Sequence, residues 1–212
     1  MAHQQQKRRL TLRADVDHRA PKSQKISPAS YERYTVAWIC ALPKELTAAK
    51  AVLDEVHEPL PRRKNDTNSY VLGSIGCHNI VITSLPTNEY GTNNAVNVLT
   101  NLTRTFESIY LSLMVGIGGG VPRPNFDIRL GDIIVGTRVV QHDLGKIVGS
   151  GQIQHTAVPR TLAHLLGKAL SLLQAEHQPH SSRIPLILEE KFKDHPAYAQ
   201  PSTPDRLFHS SY

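Results

Sequence analysis

Four glycines, Gly116, Gly118, Gly119 and Gly120, close an apolar run that begins at Ile109 and reads IYLSLMVGIGGGV. Glycine carries no Cβ, so backbone N–H groups in such a stretch approach a base, a ribose or a phosphate closely. A buried strand that ends in this way sets those donors where open α/β sheets bind ligands, beyond the carboxyl ends of their strands. The chemistry on offer is recognition of a small molecule by main-chain groups, unless the glycines do no more than turn the chain tightly. Neither common phosphate motif fits: Val121 stands where GxGxxG needs its last glycine, and no GK[ST] follows for a P-loop.

Glu45 is the carboxylate with a defined setting. It falls in the first turn of a helix opened by Pro43, where the helix dipole favours the ionised form. Such a residue either works on a bound molecule or simply complements the dipole at the surface. Arg123 and Arg129, in the loop VPRPNFDIRL beyond the glycines, either meet phosphates or stay solvated. His142-Asp143 resembles a charge-coupled pair and is expected to be structural, within a strand. The 11 histidines include no HExxH, and His177 and His180 fall in a polar tail, so no metal and no cofactor is expected. Ser and Cys nucleophiles have no GxSxG elbow or cysteine signature around them.

The elements that would hold these residues follow from periodicity. Tyr34 to Leu42, YTVAWICAL, reads as the first strand, broken at Pro43. The next segment carries Leu46, Ala49, Leu53 and Val56 at helical spacing. Residues 69–75 and 79–85 read as two strands joined through Gly76-Cys77-His78 in a hairpin. Thr92 to Phe106 repeats apolar residues at Ala95, Val98, Leu99, Leu102 and Phe106, a second helix ahead of a central strand from Ile109. Beyond the glycines, Ile133 to Thr137 reads as a strand that Val139 to Val148 continues, and Thr161 to Glu176 as a helix. This order implies a mixed sheet with helices outside. From Pro179 the pattern decays into a segment rich in Pro, Ser and His, and no internal repeat is present.

At 212 residues and 40% hydrophobic content the chain is long enough for one sizeable α/β domain. The net charge of +6 suggests nucleic acid until it is located. Residues 1–33 hold eight Lys/Arg and three Asp/Glu, a net of +5, which leaves the body almost neutral. That tail is poor in apolar residues and is expected to be disordered, with Lys7-Arg8-Arg9 either a weak localisation or anion-binding patch or, as short basic runs without aromatics usually are, simply solvated. Cys40 and Cys77 build no disulfide framework and are expected as buried thiols in a reducing compartment, cytoplasmic or nuclear. No run approaches a membrane span, so neither membrane nor nucleic acid is expected as a partner.

Five blocks in collinear order carry a resemblance: YTVAWICALPKELTAAKAVLDE, NDTNSYVLGSIGCHNIVITSLP, EYGT, LMVGIGGGVP with DIRLGDIIV, and QHDLGK. Together they resemble the nucleoside phosphorylase-like domain of fungal multidomain proteins, over about 34–212. That domain is a branch of the purine nucleoside phosphorylase and methylthioadenosine nucleosidase superfamily, commonly N-terminal to NACHT or NB-ARC nucleotidases and ankyrin or tetratricopeptide repeats. The fold class so implied is three-layer α/β, a central mixed twisted sheet flanked by helices. The division implied is 1–33 a basic tail, 34–178 the α/β domain, and 179–212 an irregular segment of the same domain.

The resemblance implies cleavage of an N-glycosidic bond, with a purine leaving ribose C1′. Glu45 matches the glutamate that activates the attacking water. Ala41 and Leu42 match strand-end residues beside the sugar, and Gly118 and Gly119 match backbone that lines the purine. With Gly116 and Ile117 they make up the expected substrate site. Phosphorylase members bind phosphate through an Arg and a Ser around the glycine motif. The matching positions here are Met114 and Ile117, which favours hydrolysis over phosphorolysis. A nucleotide substrate stays open, since some immune-effector relatives are thought to act on ATP. Homo-oligomers are the family habit.

A second departure concerns the end of the domain. The superfamily places its ribose-binding Glu and the Asp that protonates the purine after the point matching Tyr212. The expectation is therefore a C-terminally incomplete domain. The alternative function is a catalytically inactive module for ligand binding or oligomerisation.

Overall fold

The computed structural model describes residues 30–122, 127–179 and 182–198. Lys7-Arg8-Arg9, Arg123, His180 and the chain beyond Tyr198 lie outside them. A 3-10 turn at Tyr31–Arg33 leads into β1 (Val36–Cys40), and Pro43 opens α1 (Pro43–Ala51). Then come β2 (Glu55–His57), β3 (Val71–Ile75), β4 (His78–Ser84), α2 (Thr92–Thr105) and β5 (Leu111–Met114). These five strands form one sheet in the order β2-β3-β4-β1-β5. β1 runs parallel to both β4 and β5, while β2, β3 and β4 pair antiparallel, so the sheet is mixed.

Alternation along the strands produces three layers. Val36 and Cys40 of β1 and Ile80 and Ile82 of β4 face α1, where Ala49 and Leu53 complete one core. The residues between them, Ala37 and Val81, face the other way and pack with Leu72, Leu102 and Phe106 beneath α2. Because the side-chain period is two, one run of β-branched residues fills both faces. Each fully buried Leu or Val contributes on the order of 1.5–3 kcal/mol.

Turn chemistry fixes the connections. β3 and β4 are joined by Gly76 and Cys77 alone, with Gly76 at φ +57°, a conformation that favours glycine. Cys77, expected to be buried, is exposed because it sits at this tip, whereas Cys40 is buried. Burial, and then the neighbouring Glu45 carboxylate, pushes the Cys40 thiol up to about 11. Alkylation near pH 8 is therefore expected at Cys77, with Cys40 labelled only after denaturation; intact-mass measurement after iodoacetamide checks both.

The loop between β2 and β3 is closed by Asp66, which is buried. Its Oδ1 accepts the Asn68 N–H at 2.9 Å, and its Oδ2 accepts the hydroxyls of Tyr70, at 2.8 Å, and Thr105. Asn68 Nδ2 donates to Val98 O at 2.8 Å, so the loop is fastened to α2. A cavity of about 270 Å³ opens here beside Tyr31, Arg62, Tyr70 and Phe106. Tyr31 precedes β1 and Phe106 follows α2, so this cavity lies at the opposite end of the parallel strands from Glu45.

Several expectations are corrected. Helical spacing carried Val56 into α1, but the helix stops at Ala51 and Val56 lies in the edge strand β2, exposed. β5, expected as a central strand buried on both faces, is the sheet edge, paired with β1 alone among the described strands. Ile133 to Thr137 forms no strand; Arg138–Val139 (β6) pairs with Arg160–Thr161 (β9), and Gly145–Val148 (β7) with Gln152–His155 (β8). The expected helix at 161–176 is α3, His164–His177. The segment from Pro179, expected to be irregular, contains α4 (Ile184–Phe192), where Pro185 suits a first turn. Lys191 of α4 donates to Leu53 O at 3.1 Å and pairs with Asp54 at 2.8 Å.

Candidate functional site

α1 starts directly at the end of β1, with Leu42 as N-cap and Pro43 as the first helical residue. Glu45 is thus the third residue of the helix, the position from which a carboxylate reaches back to the N-cap N–H. It does so here: Oε2 accepts the N–H of Leu42 at 2.9 Å and of Ala41 at 2.8 Å. The other oxygen, Oε1, accepts the N–H of Ile117 at 2.8 Å. Glu45 is 8% exposed, so the carboxylate bridges the ends of β1 and β5 in a nearly closed setting.

The parallel register makes this bridge reachable. Ile39 pairs with Met114, and Val115 N–H donates to Ile39 O at 3.0 Å. Two residues on from each strand end, the backbones of Leu42 and Gly116 stand on either side of the carboxylate. Gly116 is a glycine for a steric reason. A Cβ there would lie 2.5 Å from Glu45 Oε1, 2.8 Å from Cδ and 2.9 Å from Oε2. Gly118 and Gly119 differ, since a Cβ on either meets no atom within 4 Å.

Opposed influences act on the carboxyl group. Burial raises its pKa, and this is the largest single effect. The amides of Ile117, Leu42 and Ala41, with a smaller contribution from Lys44, together outweigh it and hold Glu45 below the usual carboxylate range. The group is ionised at neutral pH and can accept a proton or stabilise positive charge.

The other candidates separate from this site. Arg129 pairs with Asp127 at 2.8 Å, and its backbone N–H donates to Asp132. His142 and Asp143 are exposed in a turn between β6 and β7, not in a strand. Met114 is exposed, and Ile117 turns its apolar side chain outward while its amide binds Glu45. Among the described residues no three His, Cys, Asp or Glu side chains gather as metal ligands would, and no helix is long and apolar enough to cross a membrane. The sequence did not reveal that Glu45 and Gly116 touch; the only local signal was a Glu three residues after the N-cap.

The mixed five-stranded sheet and its flanking helices make a nucleosidase-like α/β fold. The chain superimposes on the 5′-methylthioadenosine/S-adenosyl homocysteine nucleosidase of Helicobacter pylori with a TM-score of 0.51 and 20% identity, over 76% of this chain and 72% of that one. Futalosine hydrolase from the same bacterium gives 0.51 and 19%, over 77% and 73%. The 5′-methylthioadenosine/S-adenosylhomocysteine nucleosidase of Neisseria meningitidis gives 0.50 and 18%, over 75% and 72%. In sequence, a nucleotide-binding leucine-rich repeat (NLR)-like protein of Hyaloscypha variabilis is 53% identical over 122 residues. That match covers 54% of this chain and spans 12% of the relative's length. No family model matches the chain.

Proposed function

We propose that the chain acts on the N-glycosidic bond of a purine nucleoside or nucleotide, by hydrolysis rather than phosphorolysis. The observation that carries this reading is the Glu45 carboxylate, ionised and fixed by three backbone amides, beside the glycine segment at the ends of β1 and β5. In the proposed reaction a water oxygen bonds to ribose C1′ as the C1′–N bond breaks. The electron pair of that bond leaves with the base, which takes up a proton from solvent, while one proton of the water passes to Glu45 and from there to solvent. Ala41 and Leu42 would lie beside the sugar. The open backbone at Gly118 and Gly119 would face the purine. Met114 and Ile117 offer no charged or hydroxyl group to an inorganic phosphate.

A second reading, a non-catalytic module for ligand binding or oligomerisation, draws on the same carboxylate. Three amides already occupy most of its acceptor capacity, as they would if Glu45 only clasped two strands together. A cytoplasmic or nuclear site of action suits the two free thiols under either reading.

The test is chromatographic detection of free base from adenosine, methylthioadenosine, inosine and ATP, each with and without phosphate. Release that does not depend on phosphate is the expected result. Release only with phosphate would make the chain a phosphorylase. A folded chain that binds nucleosides and releases nothing would support the second reading.

A further inference from the structure

We infer that Gly116 and the Ile117 amide position the Glu45 carboxylate rather than the ligand, and that Oε1 is the oxygen that takes the proton of the attacking water. The inference rests on the hydrolytic reading above and specifies the geometry of its base.

Acceptor accounting leads to Oε1. An ionised carboxylate offers about four lone-pair sites, two on each oxygen. Oε2 receives two donors, Ala41 and Leu42, and is filled. Oε1 receives one, from Ile117, so the remaining acceptor site belongs to Oε1, on the side of the glycine segment. A water bound there would complete the coordination of the group and stand next to the backbone expected to line the substrate.

Gly116 enters through its missing Cβ. The three short distances of a built Cβ, to Oε1, Cδ and Oε2, are nearly equal, so a methyl group would press on the face of the carboxylate. The carboxylate therefore occupies the space that a side chain at 116 would need, while the next amide holds Oε1. A side chain at 116 would push the carboxylate and the Ile117 N–H apart. At Gly118 and Gly119 a methyl group meets only open space, so those two glycines are not required by Glu45. One glycine cluster thus divides into a part that serves the base and a part free to face a ligand.

The experiment is a ¹³C-carboxyl NMR titration of Glu45 in the full chain, run beside steady-state base release, for the wild type, Gly116→Ala and Gly118→Ala. Gly116→Ala is expected to raise the Glu45 titration midpoint, because the Ile117 donor is lost while burial remains. It should also lower kcat at least tenfold, with KM within about threefold of the wild type. Gly118→Ala is expected to raise KM and leave the titration in place. An unchanged midpoint in Gly116→Ala, or a rise in KM with kcat preserved, would overturn the assignment. Should Gly116→Ala fail to fold, replacing the Ile117 amide by an ester removes the same N–H with every side chain kept. A midpoint that stays put in that variant would sink the proposal too. If the wild type releases no base, the hydrolytic reading fails, and the titration by itself still decides whether Gly116 and Ile117 hold the carboxylate.

Discussion

Glutamine in place of Glu45 is expected to slow phosphate-independent base release by about 10²–10⁴-fold, the usual worth of a positioned general base. The same change should cost far less in stability than in rate. The glutamine oxygen can still accept the amides of Ala41 and Leu42, as Oε2 does now, which leaves its NH₂ group facing the Ile117 N–H. One unsatisfied donor costs about 1–3 kcal/mol. The melting temperature should therefore fall by about 2–12 °C while activity falls by orders of magnitude, and calorimetry beside the chromatographic assay separates the two. The pH profile supplies an independent check. Because the folded pKa of Glu45 is depressed, the stability it contributes is present above the ordinary carboxylate value and is lost as pH falls through the folded value. An acid limb of kcat/KM lying below the usual carboxylate range, and absent from the glutamine variant, is the expected signature.

Asp66→Ala is expected to be the most damaging single change to stability in the loop between β2 and β3. It strips partners from the Tyr70 and Thr105 hydroxyls and from the Asn68 amide, in a setting where Asp66 itself is 4% exposed. Thr105 is buried and loses its partner outright, whereas Asn68 and Tyr70 are half-buried and Tyr70 keeps the Asn68 Nδ2 donor at 3.0 Å. At about 1–3 kcal/mol for each group left unpaired, without simple addition, a total of about 3–5 kcal/mol is expected. At about 2–4 °C per kcal/mol for a chain of this size, the melting temperature should drop by roughly 10 °C. Thr103→Ala, on the exposed side of α2, is the control and should shift stability by less than about 0.5 kcal/mol. A loss below about 1 kcal/mol in Asp66→Ala would mean that the loop is not anchored through this carboxyl group.

Much of the scaffold around Glu45 is legible in the sequence. β1, the β3–β4 hairpin and α2 were readable from a β-branched and aromatic run, the Gly76 turn and a 3.6-residue period, and Pro43 marked the start of α1. These signals are local, and a local signal survives in the linear chain. β2 was hidden because three residues are too few for a period, and Val56 happened to continue the helical spacing. The edge position of β5 was hidden for another reason. Apolar alternation reports which faces of a strand are covered, and Leu111 and Leu113 do pack on the core, but it carries no information about which strand lies alongside. The exposure of Cys77 followed from its place at a hairpin tip rather than from its chemistry.

The candidate site shows the same division. Residue types alone singled out Glu45, from its place in a first helical turn, and the glycines at 116–120, from their place after an apolar strand. Their joining was decided in three dimensions, by the parallel pairing of β1 with β5, which brings a carboxylate within 2.8 Å of an amide 72 residues away. Gly116 and Gly118 look alike in sequence because neither has a side chain. Only the fold distinguishes them, since what sets a glycine's role is the atom that occupies the space its Cβ would have taken.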